Sequence, residues 1–401
     1  MLWDALTLQL GYNATLVTVG AALLGVAAGV TGTFLYLRKR ALVSDAISHA
    51  TLPGVALAFI VMVALGSDGR NLPFLLLGAA VSSWLGLLCV NWLTGRTRLA
   101  EDAAIGAVLS VFFGFGVVLL TVIQTLSAGR AAGLEGFLLG STAGMLFNDA
   151  VVIAVGGLLT LLLVVALRRP MSLVAFDPEF AAASGVNVQR VDLAIMGLAM
   201  AVTVVGLKVV GLVLIVAMLI IPPVTARFWT DRTDRMALIS GACGGLAAWA
   251  GAALSATAPA LPTGPIIVLT SFALFAVSLL LAPGRGLLAV ALRHRRFQRR
   301  VHMRQGLLAL ASGQPIYERF TLNLLKRAGL AHADGVATED GKARAAKALR
   351  DEKRWEFVRA DQAFESAAAM YDGLREIETV LTSDQIAEID RRIGGPRGVT
   401  V

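Results

Sequence analysis

The chain has 401 residues, 57% of them apolar and only 15% charged, with a positive mean hydropathy. Soluble domains carry about 25% charged residues, so this composition excludes an ordinary globular protein and indicates an all-α polytopic membrane protein. The formal net charge is +8, unevenly spread: residues 1–292 hold 15 basic and 12 acidic residues, whereas 293–401 hold 20 and 15. An apolar membrane domain, 1–292, therefore precedes a charged domain, 293–401.

Residues 1–12 lack the basic start and small-residue cleavage site of a signal peptide, so the first span is expected to insert as it stands. Spans of about 20 apolar residues are expected at 13–37, 41–65, 73–94, 103–127, 148–167, 191–207, 209–226, 236–257 and 264–282, about nine in all. The cations set their orientation. With the N-terminus outside, twelve fall in inner loops (Arg38, Lys39 and Arg40 foremost) and three, Arg70, Arg130 and Lys208, in outer ones. The C-terminal domain is then cytoplasmic.

The segment 38–60, RKRALVSDAISHATLPGVALAFI, carries the most chemistry. Asp45 and His49 are four apart and share one helix face. Ionisable side chains inside a span are costly and mark a protein interior or an aqueous path. A carboxylate with an imidazole suits first-row divalent metals, and so small a ligand set lets a passing ion leave again. His49 ligates only as the neutral ring. The competing reading is a polar pair that only packs helices. Pro53 and Gly54 follow one turn later and are expected to loosen the backbone as hinges, as are Pro222 and Pro223 at the end of VVGLVLIVAMLIIPP. Cys89 and Cys243, isolated in apolar spans, are expected to be buried.

Glu101 and Asp102 read as helix-start acids. Residues 131–147 are Gly-rich and read as a short outer or re-entrant helix, and 190–226 reads as two tightly turned spans or one span plus a re-entrant piece. The inner loop 168–190 holds FDPEFAAASGVNV. Asp177 is a candidate N-cap ahead of Pro178, and Gly185 a candidate C-cap. A doubly capped short helix in an inner loop is expected to dock onto something.

Four blocks in order, RKRALVSDAISHATLPG, FDPEFAAASGVNV, LKVVGLVLIVAMLIIPP and LPTGPIIVL, resemble the permease subunits of the manganese/zinc/iron ABC importers over about residues 10–285. The resemblance implies the membrane subunit of an ATP-driven importer of Mn²⁺ first, then Zn²⁺ or Fe²⁺, in the bacterial cytoplasmic (inner) membrane. It implies a second copy or a related permease, a cytoplasmic ATP-binding subunit and a metal-binding periplasmic or surface protein. It places Asp45 and His49 on the translocation path, and Asp177, Glu179, Gly185 and Asn187 in the helix that couples to the ATPase. The metal would be cargo, with no permanently bound cofactor. A stand-alone secondary metal transporter or channel, and a membrane-tethered regulator acting through the tail, are the alternatives.

In the tail, 293–304 forms a basic juxtamembrane stretch suited to an anionic leaflet. Residues 305–401 resemble a winged-helix domain, and ATEDGKARAAKALRDEKRWE looks like the wing-to-helix junction of iron- and manganese-dependent repressors. Glu378 matches one of their metal ligands, but Thr379 stands where a His is expected and Arg375 replaces an acid, which argues against metal sensing. A net +5 over 293–401, clustered beside the membrane, is no nucleic-acid signature. GVATEDGK (335–342) misses the phosphate-loop spacing, so ATP hydrolysis is expected in a partner.

Overall fold

Small residues decide how the membrane helices cross. The computed structural model describes every residue except 1, 10, 68, 70, 126–146, 259–260, 333 and 395–401. It divides into two compact units, Met1–Ala289 and Val290–Val401. The first contains α1 (Leu2–Leu6), α2 (Tyr12–Leu37), α3 (Val43–Ala64), α4 (Leu72–Arg96), α5 (Glu101–Thr125), α6 (Phe147–Phe176), α7 (Pro178–Ala183), α8 (Val188–Val210), α9 (Leu212–Arg227), α10 (Thr233–Ser255) and α11 (Thr263–Leu281). Among the described residues, eight helices are long and apolar enough to cross a membrane, and α9 is a shorter apolar helix. The expected outer helix at 131–147 falls, but for its last residue, outside the described residues.

Helix α2 is the hub, in contact with α6, α8, α9 and α10. Its Gly25 and Gly29 lie against α10 so closely that a Cβ on either would come within 2.4 Å of a backbone oxygen, that of Gly244 or Ser240. Ser240 Oγ donates to the Gly29 carbonyl at 2.6 Å, bonding the two backbones across the seam. In lipid, where no hydrophobic force drives helices together, such close approach is a main source of association. Gly54 of α3 and Gly78 of α4 make a second crossing, with a Cβ on Gly54 falling 2.0 Å from the Gly78 oxygen. Apolar clusters fill the spaces around these seams.

Several boundaries differ from the sequence reading. Helix α6 does not stop at residue 167 but runs through Arg168, Arg169 and Pro170 to Phe176. Its 30 residues are longer than the roughly 20 that a bilayer requires, so its charged end extends the helix beyond the length needed to span. The 190–226 region is two helices broken at Gly211, whose φ of 77° suits glycine. Helix α3 continues unbroken through Pro53 and Gly54, and α9 through Pro222 and Pro223. Cys89 is exposed on α4 and Cys243 half-buried, because each sits on the rim of its helix's packed face.

The second unit is helical: α12 (Leu287–Ala311, reaching back into the first unit's last residues), α13 (Arg319–Arg327), α14 (Glu339–Ala360), α15 (Glu365–Ala368) and α16 (Ser383–Gly394). The basic stretch and the helix expected after it are one continuous α12. Trp355 is fully buried with Val358, Ile377 and Ile389, stacks 5.0 Å from Tyr371, and donates its indole N–H to the Arg375 carbonyl at 3.1 Å. A single antiparallel bridge, Ala331 to Ala337, lies where a wing was expected, just before the Thr338 side chain caps α14 through the Gly341 N–H at 3.1 Å.

Candidate functional site

Helix α3 is the most enclosed of the eight long helices, with 72% of its apolar window buried. Asp45 and His49 sit near its start, one turn apart, both half-buried. Asp45 Oδ1 and His49 Nε2 are 3.4 Å apart. The other ring nitrogen, Nδ1, is buried with no hydrogen-bond partner, and the ring meets Phe113 of α5 edge-on at 4.9 Å. The separation is informative. Two donors each about 2.1 Å from a tetrahedral metal lie about 3.4 Å apart, so the pair spans an ion's bite without rearrangement. Among the described residues, no cluster of three or more His, Cys, Asp or Glu could cage a metal. Two donors on one face suit brief contact.

The cations that end α2 are anchored. Arg38 donates to Asp192 of α8 at 2.7 Å and to the Val174 carbonyl of α6 at 3.0 Å. Arg40 reaches Glu101 of α5 at 3.2 Å and Asp192 at 3.8 Å. Lys39, between them, has φ +59°, a left-handed turn that costs a side-chain-bearing residue roughly 1–2 kcal/mol. The strained turn, its ion pairs and the Val174 hydrogen bond join α2, α5, α6 and α8 in the chain segment that leads into Asp45. Asp192, only 8% exposed, was not among the expected functional residues. It reads locally as one more polar residue at a helix start, and its importance comes from partners 154 and 152 positions away.

The segment after α6 is built as a presented helix. Asp177 Oδ1 accepts from the Phe180 N–H at 2.8 Å with Pro178 at the first position. The Ser184 and Gly185 N–H groups close the other end, and Gly185 takes φ +83°. Glu179 is exposed in the first turn. Asn187 caps α8 instead, accepting from the Arg190 N–H at 3.0 Å. Only Ala181 is buried, while Phe176 and Phe180 are 62% and 59% exposed. Phe176 lines a groove of about 470 Å³ together with Arg168, Arg169, Leu173 and Asp234, an apolar exposure that composition alone does not reveal.

The profile of the ABC 3 transport family matches residues 12–282, from α2 through α11. The chain belongs to the ABC 3 transport family. Its members similar to this chain include the manganese transport system membrane protein MntC of Bacillus subtilis, 41% identical over 325 residues (81% of this chain, 72% of that one). The zinc transport system membrane protein TroC of Treponema pallidum is 36% identical, covering 71% of this chain and 94% of that one. The solved structure of PsaBC from Streptococcus pneumoniae in complex with Fab aligns at a TM-score of 0.63 and 30% identity, over 73% of this chain and 100% of that chain. The family match contains the Asp45–His49 pair, the Arg38–Asp192 latch and the 177–187 segment. The MntC alignment is longer than Met1–Ala289 and so runs into the second unit. There Glu378, the candidate sensor ligand, is engaged by Lys347 at 3.3 Å.

Proposed function

We infer that this chain is the membrane subunit of an ATP-driven importer that passes a divalent first-row metal across the bacterial cytoplasmic membrane, manganese before zinc or iron. The 3.4 Å Asp45–His49 pair on the most enclosed helix carries the reading. A carboxylate and a neutral imidazole offer the two donors such an ion accepts, and the 41% identity to a manganese transport protein favours that metal. ATP is hydrolysed by a separate cytoplasmic subunit that docks on the 177–187 segment: Asp177 and Gly185 hold the helix, and Glu179 and Phe180 meet the partner. Asn187 sets the angle at which α8 leaves. A metal-binding periplasmic or surface protein delivers the ion from outside, and a second permease, identical or related, completes the path. The N-terminus lies outside and the tail inside, as a winged-helix-like module packed on the ATPase or the partner permease. Pro53–Gly54 and Pro222–Pro223 are the points at which α3 and α9 bend during transport.

The test is uptake of Mn, Zn and Fe, read by mass spectrometry, in cells expressing the chain or its Asp45→Ala and His49→Ala variants. Each variant should lose metal-dependent uptake while still co-purifying with the ATPase. Uptake that survives both substitutions removes the path role from this pair. Failure of any ATPase to co-purify with the wild type removes the importer reading.

A further inference from the structure

The second unit contains a cavity of about 650 Å³ that transport does not use. It lies wholly within that unit, between α12 and α14, and falls in the size range of small-molecule sites, about 300–1,000 Å³. From α12 it is lined by Arg299, Arg300, Met303, Arg304 and Leu307, and from α14 by Arg344, Lys347, Ala348 and Asp351. Those spacings of three and four place each set on one helix face, so two faces rich in cations look into the same void.

Not all of these cations are free. Arg304 is held by Glu352 at 2.6 Å and Lys347 by Glu378 at 3.3 Å. Among the described residues, the side chains of Arg299, Arg300 and Arg344 have no ion pair or hydrogen bond. An exposed arginine on a convex surface is simply solvated, and needs no ligand. Arg299, Arg300 and Arg344 are exposed but line one concavity with Arg304 and Lys347, five cations against the two carboxylates Asp351 and Glu376, and an anion bound there would offset that excess positive charge. Arginine forks match phosphate oxygens in geometry as well as charge.

The rest of the lining narrows the ligand. Met303, Leu307 and Leu324 give one apolar wall. Asp351, 5% exposed and held by Arg354 at 3.0 Å, and Glu376 place carboxylates in the same cavity. Carboxylates oppose a bare phosphate ion but accept hydrogen bonds from amino and hydroxyl groups. A ligand that satisfies all three features has phosphate at one end, a flat apolar body, and N–H or O–H donors.

We propose that this cavity binds a phosphorylated nucleoside, its phosphates against Arg299, Arg300 and Arg344, its base along Met303, Leu307 and Leu324, and its donors on Asp351 and Glu376. The proposal goes beyond the transport reading and does not depend on it. It makes the tail a ligand-sensing module attached to a permease.

The experiment uses the full chain without its ATPase, in nanodiscs of phosphatidylcholine alone. Fluorescent mant-ATP and mant-GTP are titrated and then competed with unlabelled mono- and dinucleotides, with inorganic phosphate, and with phosphatidylglycerol added to the disc. Saturable binding displaced by unlabelled nucleotide is expected. Arg344→Gln and Arg299→Gln should each weaken it about tenfold or more, the effect of losing one charge-assisted contact. Arg327→Gln, on α13 outside the cavity lining, should leave it unchanged. The proposal fails if no nucleotide binds saturably, or if binding ignores both arginines. It also fails if only phosphatidylglycerol occupies the site, which would make it a lipid headgroup pocket.

Discussion

Replacing Asp192 by Asn tests whether the turn at the end of α2 is held by electrostatics. Asp192 is 8% exposed, and its Oδ2 accepts from Arg38 at 2.7 Å. The amide oxygen of the variant can still accept from Arg38, but the guanidinium, 16% exposed, loses its counter-charge and keeps only neutral acceptors, that oxygen and the Val174 carbonyl. Removing one member of a buried ion pair costs about 3–5 kcal/mol. The residual exposure of Arg38 and the second partner of Arg40, Glu101 at 3.2 Å, move the expectation to the low end, about 3 kcal/mol. Thermal unfolding of the purified chain in detergent should then fall by several degrees, since 1 kcal/mol shifts the midpoint roughly 2–4 °C in domains of about 150–250 residues. The double variant Asp192→Asn, Arg38→Gln should recover part of the loss, because the unpaired charge is gone. Midpoints of Asp192→Asn and wild type within about 1 °C, or no recovery in the double variant, would refute a load-carrying latch.

The other expectations are more local. Gly54→Leu drives its side chain into the Gly78 carbonyl, 2.0 Å from the ideal Cβ, so it should abolish recovery of monodisperse protein on size exclusion, with Gly54→Ala costing about 1–3 kcal/mol. Gly185→Val, at φ +83° with open space around it, should cost about 1–2 kcal/mol and misalign the 178–183 helix. Transport-coupled ATP hydrolysis should fall while Gly185→Asn stays near wild type, and equal activity of the two would remove the left-handed requirement. Glu352 lies in the second unit, where burial pushes its carboxyl up but the hydrogen bonds from Arg304 and Tyr371 outweigh it and hold it below the ordinary value of 4.5. A depressed carboxylate contributes stability that is full above its unfolded value and is lost as pH falls through the folded one. Hydrogen exchange of peptides from α14 and α16, corrected for intrinsic rates, should therefore show the tail loosening on the acid side of about pH 4.5. Glu352→Gln should flatten that dependence, and an unchanged slope would assign it to other groups, such as Asp390, which Arg354 also holds down.

What could be read without the fold was local in the chain. Hydropathy located the spans because each is a run of apolar residues, and the Asp45–His49 pair was legible because its two members lie one helical turn apart. The caps at Asp177 and Thr338 were legible for the same reason, each side chain bonding an N–H three residues on. The end of α6 was not, because Arg168, Arg169 and Pro170 look like a stop signal although the helix runs on to Phe176. The helix crossings were hidden in plain view. Gly25 and Gly29, like Gly241 and Gly245, repeat at the four-residue spacing of a membrane packing seam, but which seam meets which is a question of three dimensions. The same holds for the path. Arg38, Lys39 and Arg40 read as topology signals, and their second role appears only when α8 brings Asp192 to them and α5 brings Glu101. The segment that leads into the two-donor helix is therefore held by ion pairs to two other helices, α5 and α8, and by a hydrogen bond to a third, α6. Asp45 sits six residues beyond the strained Lys39 turn on the same chain segment, so the ion pairs that fix that turn also fix where α3 begins.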